Sequence, residues 1–127
     1  MATTVVNTTN PNQKLFQAII MQAFEDCVTS THSKVDAYNK EDSFNWFKKS
    51  DDNYKRICWY ADLDPEFVNQ NFKKLNQEGK IKFNKTELMW IDYRNRYKQY
   101  RAAGTKEARR IIKKGIDRIT PKLMTGK

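Results

Sequence analysis

The chain has 127 residues, with 24 Lys and Arg against 15 Asp and Glu, a formal net charge of +9, two cysteines and one histidine. A chain of that length is one domain's worth and buries roughly two thirds of the surface its unfolded form exposes, so neither disulfides nor a metal are needed to hold it. His32 has no CxxC or HxxxH companion, and the longest apolar run, Ala18 to Met21, is far too short to cross a bilayer. The composition therefore excludes a zinc site and a membrane span, implies no cofactor, and predicts a soluble cytoplasmic protein.

Residues 1–11 form a Thr- and Asn-rich stretch that predicts a flexible arm. Asn10, Pro11 and Gln13 have the form of a helix start, with Asn as cap, Pro at the first helical position and Gln reaching back. Leu15, Phe16, Ile19, Ile20, Ala23, Phe24, Cys27 and Val28 then cover most of a helix circumference. A helix that apolar has to be buried, either centrally in the monomer or across a homodimer interface. Cys27 and Cys58 each lie in an apolar stripe and read as small core residues of a reducing compartment. Thr29 to Ser33 break the pattern. Val35 to Lys49 predicts a second helix, begun by a capping-box-like Ser33 and Asp36 and closed by Phe44, Trp46 and Phe47.

Residues 51–75 carry the sharpest local signal. Tyr54, Ile57, Cys58 and Ala61 define a short amphipathic helix, and Pro65 opens another with Phe67, Val68, Phe72 and Leu75 on its inner side. Asp64 caps it, and Leu63 with Val68 fits a hydrophobic staple. Two short helices joined by about three residues is what a helix-turn-helix requires, and the small Cys58 and Ala61 suit its close helix crossing. Two positions depart: Asp62 stands where glycine is common, and Asn71 stands where an apolar residue usually closes the unit, a contact Phe72 can supply. The same pattern also fits two core helices with an ordinary corner.

Gly79 ends the second of these helices, and Lys80 to Phe83 alternate in polarity, which predicts an extended connector or, as the lesser reading, a degenerate wing. The charge lies beyond it. Residues 85–127 carry thirteen Lys and Arg against four Asp and Glu, while residues 1–84 carry eleven of each. From Thr86 to Ala103, Met89, Tyr93, Tyr97 and Tyr100 share a helical stripe with Arg94, Lys98 and Arg101 beside it. Gly104 stops that helix and Thr105 caps another, whose apolar side is Ala108, Ile111, Ile112, Gly115, Ile116 and Ile119, and which Pro121 ends. The expected organisation is all-α, a compact bundle of about five to six helices containing the helix-turn-helix-like pair and followed by a basic helical hairpin: a helical body over 12–84, the hairpin over 85–120, and a flexible tail over 121–127.

Charged helical faces are commonly just solvated surface. Two consecutive basic helices with few carboxylates instead make a field with a direction, to which polyanions respond. If the corner is a helix-turn-helix, its second helix enters a major groove and Glu66, Asn69, Gln70 and Lys73 touch base edges. Phosphate contacts then fall to Lys74, Arg94, Arg96, Lys98, Arg101, Arg109, Arg110, Lys113 and Lys114. Tyrosines between the cations could stack on bases, although their spacing is that of core residues. No glycine-rich phosphate loop and no nucleophile with a histidine partner is present. Asp51, Asp52, Asp62, Asp64 and Glu66 gather at the corner, where helix starts and caps already employ them, so no enzyme is expected.

The run Leu15 to Asp26, then Trp46-Phe47, Ser50, Tyr54, Ile57-Cys58, Ala61, Leu63-Asp64-Pro65 and Val68, resembles a group of small proteins encoded by bacteriophages and prophages of proteobacteria. That group shares an LWQA-type first helix, a Trp-Leu or Trp-Phe pair, and an ICxxAxLDPxxV ending of helix-turn-helix type. The resemblance covers roughly residues 13 to 70 and leaves the basic hairpin outside it. It implies a phage origin and a DNA-associated role in the cytoplasm of an infected bacterium, and it implies no catalytic residue. The expected function is DNA binding by a regulator or packaging-associated factor, with double-stranded DNA as ligand and RNA reachable through the same tail. The alternative is a host-takeover protein whose basic and aromatic surface binds and inhibits a host protein.

Overall fold

In the computed structural model, which describes residues 11–124, six helices follow one another: α1 (Pro11–Val28), α2 (Lys34–Lys49), α3 (Asp52–Tyr60), α4 (Pro65–Gln77), α5 (Lys85–Ala102) and α6 (Lys106–Met124). Among the described residues there is no strand, so the protein is all-α as its periodicities predict, and residues 80–84 are a connector with no wing. The first ten residues of the expected arm, with the Asn10 cap, and residues 125–127 of the expected tail lie outside the described residues. No helix among those described is long and apolar enough to cross a membrane.

The described residues separate into two units. One comprises the chain up to Thr29 together with Asp42–Lys82, the other Ser30–Glu41 together with everything from Phe83 on. The first half of α2 groups with the C-terminal helices, for a reason found in its buried charges below.

In the first unit α1 packs on α3 and α3 on α4. Cys27, Phe47, Cys58 and Ala61 are fully buried, and Phe47 is the hub. Its ring lies 4.4 Å from that of Phe24 and is stacked on Phe72 at 5.0 Å. Such aromatic pairs add to the area they bury because ring edges and faces carry opposite partial charge. Tyr54 is buried beside them, and its hydroxyl donates to the Pro65 carbonyl at 2.7 Å, joining α3 to the first turn of α4. Burial, with Cys58 next to it, pushes the Tyr54 phenol above its ordinary range, and burial likewise pushes the Cys58 thiol up, so both stay neutral.

The α3–α4 corner is built from capping chemistry. Asp51 accepts from the Tyr54 amide to start α3, and Asp64 accepts from the Glu66 amide with Pro65 at the first helical position of α4. Between them α3 ends in a Schellman turn: the Asp62 amide donates to the Trp59 carbonyl and the Leu63 amide to the Cys58 carbonyl. Asp62 has φ 59°, the left-handed conformation for which glycine is the usual residue. The substitution noted in the sequence is therefore tolerated because Asp is one of the few residues with a side chain that visits this region. Asp62→Gly is expected to raise unfolding free energy by roughly 0.5–1 kcal/mol, read by urea denaturation, because it removes that conformational cost. Gly79, with φ 73°, ends α4 by the same kind of turn.

Four expectations are corrected. Leu15, Ile19, Met21 and Val28 of α1 are exposed, as only one side of the helix, at Ile20, Ala23 and Cys27, meets the core. Phe67 is 56% exposed instead of facing inward, because α4 turns Val68 and Phe72 to the core and Phe67 stands beside that stripe. Ile111 is 60% exposed and belongs to the outer side of α6. Pro121 does not end α6, which continues to Met124. Its ring removes the helical bond to the Asp117 carbonyl, but Leu123 is buried just beyond, and burying a leucine is worth about 1.5–3 kcal/mol, the same order as a proline in a helix costs.

The second unit is organised by Glu87. Asn84 and Glu87 form a capping box at the start of α5, the Asn84 side chain accepting from the Glu87 amide and the Glu87 carboxylate from the Asn84 amide. The same carboxylate, fully buried, accepts from the Thr31 amide and from Lys40 Nζ at 3.0 Å. Lys40 is 1% exposed, and its ammonium also lies 5.0 Å from the centre of the Phe83 ring. Asn84 further donates to Ser30 Oγ and the Thr31 carbonyl. These bonds draw the first half of α2 and the loop before it into the unit of α5 and α6. α5 and α6 pack as the predicted hairpin, capped at its corner by Thr105, whose hydroxyl accepts from the Ala108 amide.

Candidate nucleic-acid interface

The basic helix α6 follows a strict pattern. Lys106, Arg109, Arg110, Lys113, Lys114 and Asp117 are spaced three or four residues apart along one side, and side chains at such spacings lie one above another. Together with Tyr100 of α5 they line a shallow recess of about 410 Å³. The recess thus gathers five cations around one carboxylate. Arg109 is fixed at its edge by donating to the Ala103 carbonyl at 3.2 Å, which also satisfies the end of α5. Arg110 pairs with Glu107 on the preceding turn. Lys113 donates to the Tyr97 hydroxyl at 3.3 Å and meets Asp117 at 3.2 Å. Its hydrogen bond to Asp117, then that to Tyr97, hold its ammonium above the ordinary lysine value, so it is charged throughout the neutral range.

Of the nine phosphate contacts expected from the sequence, Arg109, Arg110, Lys113 and Lys114 are brought together here. Lys98 and Arg101 are exposed on one side of α5, three residues apart. Arg96 is separate from them: it pairs with Asp92 at 2.9 Å, and its guanidinium occupies the space over Gly115 where a Cβ would come within 2.6 Å. Gly115 is two residues, about 200° around α6, from both Lys113 and Asp117, so Arg96 borders the flank opposite the recess. Arg94 is withdrawn from the expected set. It forms an ion pair with Glu41, both largely buried, and its guanidinium carbon lies 4.5 Å from the centre of the Tyr38 ring. A guanidinium stacked on a ring and paired to a carboxylate is already engaged within the protein. Lys74 lies on α4, exposed, in the other unit.

The tyrosines of α5 form a ladder of edge-on rings, Tyr93 to Tyr97 at 5.0 Å and Tyr97 to Tyr100 at 6.1 Å. Their rings pack edge-on against one another, which makes them packing residues, with Tyr97 bonded to Lys113 and Tyr100 lining the recess, rather than open stacking platforms.

On α4, Glu66, Gln70 and Lys73 are exposed, but Asn69 is not. Asn69 is 9% exposed, and its amide donates to the Phe47 carbonyl at 3.0 Å and Ser50 Oγ at 2.7 Å, satisfying the end of α2 where Ser50 turns with φ 48°. It is therefore a tie between α4 and α2 and not a base contact. Asn69→Ala is expected to lower unfolding free energy by roughly 0.5–1.5 kcal/mol, because it removes the amide's bonds while the Phe47 carbonyl keeps the Ser50 hydroxyl, and to leave any nucleic-acid preference unchanged.

Three features escaped the sequence reading. Lys106 and Asp117 complete the stripe of α6 and were legible from the same spacing. The Asn84 and Glu87 capping box was legible as an N-x-x-E start. The buried pairing of Glu87 with Lys40 carried no local signal. Among the described residues no group of three or more His, Cys, Asp or Glu side chains is placed to hold a metal ion. Comparison with known proteins gives no match, whether to family models, to curated sequences or to solved structures.

Proposed function

We propose that the protein binds double-stranded DNA, holding the phosphate backbone with the α6 recess and presenting Glu66, Gln70 and Lys73 of α4 to base edges, and that it acts by binding rather than by catalysis. The observation that carries this reading is a recess of α6 lined by five cations and one carboxylate, with Glu107 beside it paired to Arg110. Backbone contacts supply most of the affinity of such proteins, and base-edge contacts supply the discrimination. Gln can pair with adenine and Lys with guanine, so the exposed α4 side chains are chemically able to read sequence. The setting is the cytoplasm of a phage-infected bacterium, which the resemblance of residues 13 to 70 supports, with a regulator or packaging-associated factor as the role.

The test is duplex binding at several salt concentrations. If six or more phosphates are contacted, affinity falls by roughly 10³ or more from 50 to 200 mM salt. Micromolar or tighter binding that ignores salt would overturn the reading. Gln70→Ala with Lys73→Ala should flatten discrimination among duplex sequences and leave non-specific binding nearly intact. Single-stranded DNA and RNA arms of the same titration separate the choice of nucleic acid.

One observation favours the reading of a host-directed binder. Trp59, Tyr60 and Phe67 are all more than half exposed around the α3–α4 corner, and large aromatics are frequent anchors of protein interfaces. Co-purification of a single host protein at fixed stoichiometry, surviving nuclease, would favour it. The exposed Leu15 and Ile19 of α1 support pairing of two copies through that helix, and a monomeric mass by analytical ultracentrifugation at high concentration would exclude this.

A further inference from the structure

We infer that the α6 recess is selective for a run of consecutive phosphates over a single one, and that Asp117 sets this selectivity as an internal counter-anion on Lys113. The inference rests on the reading of this face as a phosphate site and names what the site takes. From Lys106 to Lys114 is eight residues, about 12 Å of helix axis. Along that length the cations recur every three or four residues, so charge is spread as a line and not focused to a point. A strand whose phosphates advance about 3.4 Å each along a duplex axis places roughly three of them against such a line, while a lone phosphate reaches only part of it.

Asp117 ends the line. Its carboxylate meets Lys113 at 3.2 Å, in the order with lysine N-terminal to the acid, which is the weaker orientation of an i,i+4 pair on a helix. Both side chains are substantially exposed, 45% and 63%, so the pair is screened and can be displaced. A single phosphate competing for Lys113 has to displace the carboxylate with few other contacts to help it. A run of phosphates engages Lys106 and Lys114 at the same time, and Arg110 on displacing its exposed partner Glu107, which together offset the displacement of Asp117. The Tyr97 hydroxyl, accepting from the same ammonium at 3.3 Å, keeps Lys113 at the recess when the carboxylate lets go.

The experiment compares the full chain with Asp117→Asn and with Asp92→Asn, which makes the same change of net charge at the Arg96 pair on the opposite flank. Binding of a duplex oligonucleotide is followed by anisotropy over a salt series, and binding of inorganic tripolyphosphate and orthophosphate by amide shifts of α6. Expected for Asp117→Asn are a gain in duplex affinity of roughly threefold to tenfold, a salt slope steeper by about one, and a larger gain for orthophosphate than for tripolyphosphate. The wild type should bind tripolyphosphate at α6 and orthophosphate far more weakly. Equal gains from both substitutions, or no change with Asp117→Asn while the wild type binds duplex, would sink this inference and leave the DNA reading standing. Tripolyphosphate binding at α6 without duplex binding would do the reverse, assigning the recess to a free polyphosphate. Equal shifts from tripolyphosphate and orthophosphate in the wild type would overturn the claim of selectivity.

Discussion

Replacing Glu87 by alanine is expected to lower the unfolding free energy by about 3–5 kcal/mol, the largest effect of any single substitution proposed for this chain. The carboxylate is completely buried and serves Lys40, the Thr31 amide and the Asn84 amide at once. Its loss takes the Glu87 carboxylate away from an ammonium that is 1% exposed and from two backbone donors. Lys40→Met should be milder, because the carboxylate then keeps both backbone donors. The double variant Lys40→Met with Glu87→Leu should recover part of the loss, since apolar pairs of similar volume often replace buried ion pairs at little cost. Recovery stays partial because the two amides remain unserved. Urea denaturation of the wild type, Lys40→Met, Glu87→Leu and the double variant closes the cycle that gives the coupling energy. A Glu87→Ala protein as stable as the wild type would show that the pair contributes nothing.

The second large effect is expected on binding. Neutralising Lys106, Arg110, Lys113 and Lys114 as glutamines should weaken duplex affinity on the order of 10³-fold at 50 mM salt and make the salt slope shallower by about four. Arg109 is left in place because it also caps the Ala103 carbonyl, so the fold of the hairpin should survive. The matching control neutralises Lys48, Lys49, Lys55 and Arg56, four exposed cations from the electrically balanced part of the chain, and should change affinity far less. Equal losses from the two sets would mean that net charge, and not the α6 recess, governs binding.

Much of this architecture was legible locally. The 3.6-residue periodicity placed all six helices, and Asp64 with Pro65, Gly79 and Thr105 marked where three of them start or stop, because caps act through bonds within a few residues of themselves. Even the departure at Asp62 was visible, and its left-handed φ gives it a cause. What went astray was the direction each side chain faces. Phe67 and Ile111 are apolar yet exposed, and Asn69 is polar yet buried, since which side of a helix meets a neighbour depends on packing that hydrophobicity alone does not fix.

The candidate site divides in the same way. Composition by itself determined that the cations are concentrated after residue 84, and spacing determined that Arg109, Arg110, Lys113 and Lys114 share one side of a helix, because both are properties of the chain before it folds. Only the tertiary structure decided which cations remain open to a ligand. Arg94 meets Glu41 from 53 positions away, and Lys40 meets Glu87 across 47, and no local pattern announces either partner. Coulomb attraction acts through space and not along the sequence, so a count of charges predicts the sign of the field while folding determines where it can be used.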